Sequence, residues 1–287
     1  MDNTQFRSTQ NFERYTQFYQ KSPIIQERFV DLANLKDYFI PGCFQDRGWD
    51  KLLGDLPGVI EPLIKEFYAN AVLREDEINC WIRGHEFNID LEDINEVLGF
   101  EELDHDFTHY KDRMLSIETV QSHIGGVREG RCLNTTAFSP DLRCLTLIMM
   151  FNLYLVKKMT TINNAKAIFL MELWENTYID ISAHIFCIIA DEIRTTSRAK
   201  LIFPSLLMRL FFQMMKRRVI KNKENLWKLR QKLKNNPQAQ EAVAKGAELH
   251  HPLHYLQMHF RSSLKGLTGF ETSRMRNLIG WMLSKSI

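Results

Sequence analysis

The densest cluster of metal-binding side-chain types lies near the end of the 287-residue sequence, where His250, His251 and His254 fall close together. His250 and His254 are four positions apart, a spacing that places two side chains on one helix face, where both can bind one metal ion. Pro252 fits only in the first turn of a helix, so His250 would lie at or before the helix start. At that position His250 is outside the regular helix, so His250 and His254 lose the rigid spacing that a shared metal ion requires. We therefore expect a polar helix start, with no metal ion and no cofactor.

Paired acidic side chains suit general acid–base catalysis, and short acidic runs occur at 75–77, 92–93 and 101–102. Neighbouring residues point apart on a helix, and most of these acids lie in predicted turns, as is typical of a solvated surface. The tripeptide Arg83-Gly84-His85 allows two interpretations. It is either a functional hairpin tip or a turn glycine flanked by solvated side chains.

The sequence lacks the local motifs of common enzymes. It contains no P-loop, no dinucleotide-binding glycine motif, no nucleophile elbow, and neither the metalloprotease nor the deaminase zinc motif. A catalytic triad assembled from distant residues would leave no local trace. We expect a protein that is not an enzyme and has no catalytic residues. An enzyme with a non-local, nuclease-like site is the least favoured alternative.

Basic residues are concentrated in the second part of the chain. Residues 1–112 hold 23 Asp and Glu against 11 Lys and Arg, and the remainder hold 12 against 26, so the total of +2 conceals net charges of −12 and +14. Such asymmetry marks a nucleic-acid contact, or two lobes that attract each other or a second copy. The stretch 209–234 has ten basic residues and one acidic residue, Glu224. The candidate nucleic-acid-binding residues are Lys216, Arg217, Arg218, Lys221, Lys223, Lys228, Arg230, Lys232 and Lys234.

Trp227 lies within this basic stretch. Basic residues with an aromatic residue between them can bind a phosphate backbone and stack a base. A helix over 223–234 also places Leu226, Leu229 and Leu233 on one face. If that face and Trp227 pack inward, only a solvated basic face remains, so both interpretations stay open.

Hydropathy and cysteine usage restrict the location of the protein. The longest apolar stretch, Leu145 to Val156, has 12 residues, whereas a spanning helix needs roughly 20. The first residues lack the apolar core of a signal peptide. The five cysteines form no Cys-x-x-Cys pair, which indicates reduced, mostly buried thiols. We expect a nuclear or cytoplasmic protein without membrane contact.

Hydrophobic spacing and helix-start signals predict the secondary-structure elements that position these residues. They indicate a mainly α, multi-helix globular domain with one small β-hairpin and a basic helical C-terminal tail. The hairpin is predicted at 78–89, with Trp81 or Phe87 buried against a helix at 58–72. A helical pattern through Phe29 is predicted to stop at Ile40-Pro41-Gly42. The segment 127–138 is predicted to be a loop or an irregular strand.

The remaining elements are helices. They are predicted from Ser139 to about 158, and at 90–99, 164–177, 180–195, 203–217, 223–234, 238–249, 252–265 and 271–285. These elements suggest an N-terminal arm and helix over 1–39, a helical core domain over 40–217 and a basic helical tail over 218–287. The first 20 residues form either a loose arm or a helix docked by its aromatic rings.

Several short motifs occur in a recognisable order. They are Arg47-Gly48-Trp49, then Glu66-Phe67-Tyr68-Ala69-Asn70, then Arg83-Gly84, then Ile94-Asn95 with Leu98-Gly99, and later Phe203-Pro204-Ser205-Leu206. Over about 40–215 the sequence resembles the plant transposon protein domain, which is associated with Ty3/gypsy-type retroelements. More distantly it is similar to the plant mobile domain.

The resemblance implies a retroelement origin, still mobile or domesticated, and mainly a shared fold rather than a catalytic site. Phe67 and Tyr68 would pack their helix against the hairpin, Gly84 would supply its turn, and Pro204 would start a buried helix. From the resemblance and the basic 209–234 stretch together, we expect a non-enzymatic, retroelement-derived binding domain whose partner is either nucleic acid, bound through that stretch, or another protein. The alternative is a Gag-like self-assembling protein or a protein-binding adaptor.

Overall fold

A computed structural model describes residues 5–54, 56–100, 115–156, 160–195 and 200–234. Within these ranges the chain is mainly helical, with two small three-stranded sheets. The helices predicted at 238–249, 252–265 and 271–285, and the histidines from His250 to His259, lie outside the described residues. The same is true of the acidic pair at 101–102.

The first half of the chain forms short helices around the first sheet. The helices are α1 (Thr9–Arg14), α2 (Ile40–Gln45), α3 (Asp50–Leu53), α4 (Glu61–Asn70) and α5 (Leu91–Leu98). The strands are β1 (Val72–Leu73), β2 (Ile78–Ile82) and β3 (His85–Ile89), in the order β1-β2-β3 and antiparallel.

The second half contains the longer helices and the second sheet. The helices are α6 (Ile117–Ile124), α7 (Pro140–Asn152), α8 (Asn164–Trp174), α9 (Ile181–Arg194) and α10 (Pro204–Lys234). The strands are β4 (Val127–Glu129), β5 (Cys132–Asn134) and β6 (Thr161–Asn163), again antiparallel in chain order.

The predicted hairpin at 78–89 is confirmed as β2 and β3. Arg83 and Gly84 form its two-residue turn, with φ values of 50° and 81°, as expected of the tight turns that suit the twist of a hairpin. The prediction that Trp81 or Phe87 would be buried holds only in part, because Phe87 is half-buried against the core, whereas Trp81 is half-buried without joining it. Trp81 alternates with the buried Cys80 and Ile82 and so lies on the other face of the strand.

The prediction of a single small hairpin is also wrong. The segment predicted as a loop or an irregular strand at 127–138 contributes β4 and β5, and Leu133 of β5 pairs with Ile162 of β6. These strands have three residues each, too few to show an alternating pattern. Their third partner comes from a distant part of the chain, so nothing local predicts the sheet.

Helix starts follow their local signals. Ser139 accepts a hydrogen bond from the Leu142 amide at 3.4 Å and precedes Pro140, as predicted for α7. Asp90 and Asp93 form the reciprocal capping box that begins α5, and Gly99 ends this helix at φ 71°.

Other helix boundaries differ from the prediction. The helical pattern through Phe29 yields only a 3-10 turn at Leu32–Leu35, and Phe29 is 69% exposed. Pro41 lies in the first turn of α2, so the residues predicted to end a helix also begin one. The helix predicted over 58–72 is shorter, at Glu61–Asn70. The helices predicted at 203–217 and 223–234 are parts of one continuous helix, α10.

In the hydrophobic core α4 packs against β2, α8 packs against β5 and β6, and α10 packs against α4 and α5. Phe67, Phe169 and Leu207 have essentially no solvent-accessible surface. The side chains from Pro204 to Met208 are all buried, so α10 begins inside the protein. After Met214 its described side chains become half-buried and then exposed, so α10 leaves the core just before Lys216.

Candidate nucleic-acid interface and the motifs that support it

Glu66 of α4 and Arg83 of the hairpin turn form a buried ion pair. The Arg83 Nε atom lies 3.0 Å from Glu66 Oε2, and the Arg83 amide donates to Glu66 Oε1 at 2.6 Å. The side chains of Arg83 and Glu66 are 7% and 3% exposed. The glycine does supply the turn, but the interpretation that solvated side chains flank it is wrong for Arg83, which is buried and has a structural role. The pair fixes the hairpin on α4.

Two more residues of the same α4 motif join distant segments. The Tyr68 hydroxyl donates to the Ile202 carbonyl at 2.9 Å inside the core. Asn70 donates to the Gln5 carbonyl at 2.8 Å and accepts from the Arg7 amide at 3.3 Å. The motif therefore attaches the segment before α10 and the N-terminal arm to one helix.

The N-terminal arm is docked rather than loose. Phe6 and Tyr19 are buried, as one of the two predicted possibilities required. The Arg14 guanidinium donates to the carbonyls of Ala71 and Ile193, at 2.9 and 2.6 Å, and to the Tyr19 hydroxyl at 2.8 Å. The buried rings of Phe6 and Tyr19 and the hydrogen bonds of Arg14 thus hold the arm against both halves of the fold.

Arg47, from the Arg47-Gly48-Trp49 motif, reaches the end of α8. Its guanidinium donates to the carbonyls of Glu172 and Thr177 at 3.1 and 2.7 Å, and to the Cys43 carbonyl at 2.5 Å. Carbonyls at a helix end lack helical partners, so a cation stabilises them. Burial lowers the pKa of Arg47, consistent with an enclosed structural position.

The Phe203-Pro204-Ser205 motif begins α10. Phe203 is buried at φ 48°, in the left-handed region, and turns the chain into the helix. Glu27 accepts hydrogen bonds from the Ser205 and Leu206 amides, each at 3.1 Å. Burial raises the pKa of Glu27, although the amide hydrogen bonds oppose that shift. The start of the basic helix is therefore held by an acid from the N-terminal segment.

The stretch that contains these motifs is matched by a sequence model of a known family. The family is described as "Putative plant retrotransposon-related domain", and its model matches residues 45–214, more than half of the chain. The chain belongs to this family. Searches of curated proteins and of solved structures found no significant match. The match ends within α10, two residues before Lys216, so all nine candidate nucleic-acid-binding residues follow the family domain.

All nine candidate residues belong to α10. The side chains of Lys216, Arg217 and Arg218 are described, and all three are exposed. The side chains of the other six lie outside the described part of the chain: Lys221, Lys223, Lys228, Arg230, Lys232 and Lys234.

Arg217 differs from its two neighbours because it forms ion pairs with Asp93 and Glu96 of α5. Among the described residues, no acidic side chain is within ion-pair distance of Lys216 or Arg218. Sequence reasoning did not identify these partners of Arg217. Asp93 and Glu96 share one face of α5, but no local signal indicates which cation they meet more than a hundred residues later.

Trp227 is 61% exposed and Ile220 is 46% exposed on the same helix. The interpretation in which Trp227 packs inward is therefore wrong. Since each residue advances about 100° around a helix, Trp227 lies well away from positions 226, 229 and 233. The side chains of those three leucines are outside the described set, and their inward packing remains a prediction.

Two observations on the described residues concern metal binding and one small cleft. The described residues contain no group of three or more His, Cys, Asp and Glu side chains that could hold a metal ion. A small cleft beside the start of α10 is lined by Glu27, Asn152 and Arg209. There Glu27 caps the helix, Asn152 accepts from the Arg28 amide at 2.7 Å, and Arg209 donates to the Lys51 carbonyl at 2.9 Å.

The cysteines are free thiols in this structure. Cys43 and Cys80 are buried, whereas Cys132, Cys144 and Cys187 are half-buried, so burial is less complete than predicted. Burial raises the pKa of Cys43 to about 11, which disfavours its reactive thiolate. Within the described ranges, no helix combines the length and apolar character needed to cross a membrane.

Proposed function

We propose that this retrotransposon-related domain is a non-enzymatic module that binds the phosphate backbone of nucleic acid along the second part of α10. The observation that carries this proposal is the continuation of α10 beyond the core, with Lys216 and Arg218 exposed. Neither cation meets an acid among the described residues, and such cations are available to replace the counterions of a phosphate chain. No cofactor takes part, and a nuclear or cytoplasmic location would suit such a role.

The length of α10 supports an extended contact. Its 31 residues span about 46 Å, and the nine candidate residues, from Lys216 to Lys234, all follow the buried part of the helix, which ends at Met214. The helical repeat places eight of the nine candidate positions in two rows: positions 216, 223, 230 and 234 along one line of the helix, and positions 217, 221, 228 and 232 along a second. Arg218 lies beyond the second row, about 70° from its middle. Two rows of basic positions could follow a phosphate backbone without reading its sequence.

The ion pairs of Arg217 help to hold this helix in place. Asp93 is largely buried and already belongs to the capping box of α5, so Arg217 links α10 to a fixed point of the domain. Arg217 therefore acts mainly as a positioning residue. Lys216 and Arg218, one position on either side, are the described cations that would meet phosphate.

Charge reversal tests the proposal. The double variant Lys216→Glu/Arg218→Glu, and the same variant extended with Lys221→Glu and Lys223→Glu, should lose retention of arbitrary nucleic acid without a change in helix content. The matched control is Lys36→Glu/Arg143→Glu, which reverses two exposed cations outside α10. Retention that survives reversal in α10, or is lost equally in the control, contradicts the proposal.

A second candidate function is self-assembly, in which the basic helix of one copy meets the acidic half of another. The observation that favours it is the pairing of Arg217 with Asp93 and Glu96, because it shows that α5 already attracts cations of α10. Sedimentation at increasing protein concentration separates the two functions. Assembly without nucleic acid, abolished by high salt, would favour this second function.

A further inference from the structure

The solvent-facing side of α10 carries an exposed tryptophan between the two rows of basic positions. Trp227 is 61% exposed, and Ile220, two turns earlier, is 46% exposed. Around the helix, Trp227 lies about 40° from the row that contains Lys216 and about 100° from the row that contains Arg217. An exposed indole has an apolar face available for contact, and the helical repeat places residue 227 next to basic positions of α10.

We infer that Trp227 stacks on an unpaired base and that the ligand class of this domain is single-stranded nucleic acid. This inference rests on the proposed function, since phosphate binding by the flanking cations brings the bases to the tryptophan. Every base presents a π face, so stacking on an aromatic side chain requires no particular sequence. In a duplex the bases are paired and stacked on each other, so they cannot meet an indole on the surface of a helix.

Glu224 indicates which side of α10 would contact the bases and which would contact the phosphates. It is the one acidic residue of the 209–234 stretch, it is exposed, and it lies one turn before Trp227. A carboxylate repels phosphate, so the stripe of Ile220, Glu224 and Trp227 disfavours the backbone. Uncharged bases can occupy that stripe while the phosphates follow the cations at its sides.

The test compares three fluorescent ligands of about equal length and charge per strand: an oligothymidylate of about 20 nucleotides, an abasic oligomer, and a duplex. Binding of the full chain is measured by anisotropy at one salt concentration. Trp227→Ala should weaken binding to the oligothymidylate by about fivefold or more, because stacking on an aromatic side chain contributes this much per base. The affinity of the Trp227→Ala variant for the abasic oligomer and for the duplex should differ from that of the unaltered protein by less than about twofold.

Two further variants make the result specific. Trp227→Phe retains an aromatic face and should recover most of the affinity for oligothymidylate. Phe29→Ala removes another strongly exposed aromatic ring, outside α10, and should leave all three affinities unchanged. Circular dichroism of each variant should match that of the unaltered protein.

The outcomes distinguish this inference from the proposed function. If Trp227→Ala leaves oligothymidylate binding intact, or weakens all three ligands equally, base stacking is overturned while phosphate binding by α10 stands. If the unaltered protein binds none of the three ligands, the proposed function itself fails. If Trp227→Ala weakens binding to oligothymidylate alone, the result supports both base stacking and phosphate binding by α10.

Discussion

Glu66 on α4 and Arg83 at the hairpin turn are joined both by an ion pair, at 3.0 Å, and by a hydrogen bond from the Arg83 amide, at 2.6 Å. Both residues belong to motifs that are recognisable from the amino-acid sequence alone. Their burial explains why a charged residue interrupts an otherwise apolar helix face. Removal of either partner leaves an uncompensated charge inside the protein.

Arg83→Ala should therefore lower the free energy of unfolding by about 3–5 kcal/mol, the usual cost of breaking a buried pair. Denaturant titration followed by circular dichroism measures this loss. The matched control is Arg128→Ala, which breaks an exposed ion pair with Glu118 and should leave stability nearly unchanged. Similar losses in the two variants would contradict the structural role of the Glu66–Arg83 pair.

Tyr68→Phe should destabilise the fold by roughly 1–3 kcal/mol, because the buried Ile202 carbonyl loses the hydroxyl that donates to it at 2.9 Å. The same denaturant titration detects the change. Tyr38→Phe, at an exposed tyrosine, is the control. An unchanged midpoint in Tyr68→Phe would mean that this hydrogen bond does not hold the segment before α10.

Glu27 should make stability depend on pH. Burial raises its pKa above 4.5 in the folded protein, so the folded state binds the proton more tightly than the unfolded state does. The stability that this group contributes is fully present below about pH 4.5 and is lost as pH rises through the folded pKa.

Glu27→Gln isolates this effect because glutamine resembles the protonated acid and does not titrate. The free energy of unfolding of the unaltered protein, minus that of the variant, should fall as pH rises from about 4 through the folded pKa. Denaturant titrations at a series of pH values measure the difference. A flat difference, or one that grows with pH, would show that the amide hydrogen bonds outweigh burial.

Arg217 and Arg218 should differ in their contribution to nucleic-acid binding. Arg218→Gln should reduce the salt slope of binding by about 0.7–0.9, the value of one lost phosphate contact. Arg217→Gln should reduce it less, because Asp93 and Glu96 already neutralise that guanidinium. Equal reductions would mean that Arg217 leaves α5 when nucleic acid binds.

Local signals account for the parts of the fold that the sequence predicted well. Asp90 and Ser139 mark helix starts through their own side chains, and Arg83 and Gly84 specify a two-residue turn. The second sheet depends on pairing between β5 and β6, which are far apart in sequence and have three residues each. No periodicity could have predicted it.

The candidate site could be predicted only in part for the same reason. The basic residues of α10 are close together in sequence and can be identified by composition alone. The change from apolar to basic residues near 218 suggested a boundary, but Lys and Arg are good helix formers and α10 continues through it. The pairing of Arg217 with α5 depends on tertiary structure, and so does the exposure of Trp227.

The most direct test of the central claim is the salt dependence of nucleic-acid binding by the full chain. The logarithm of the association constant should fall linearly with the logarithm of salt concentration, with a slope of about −0.7 to −0.9 for each phosphate contacted. We expect contact with several phosphates, little dependence on sequence, and a much smaller slope after Lys216→Glu/Arg218→Glu. A slope near zero, or a steep slope unchanged by this reversal, would contradict nucleic-acid binding through α10.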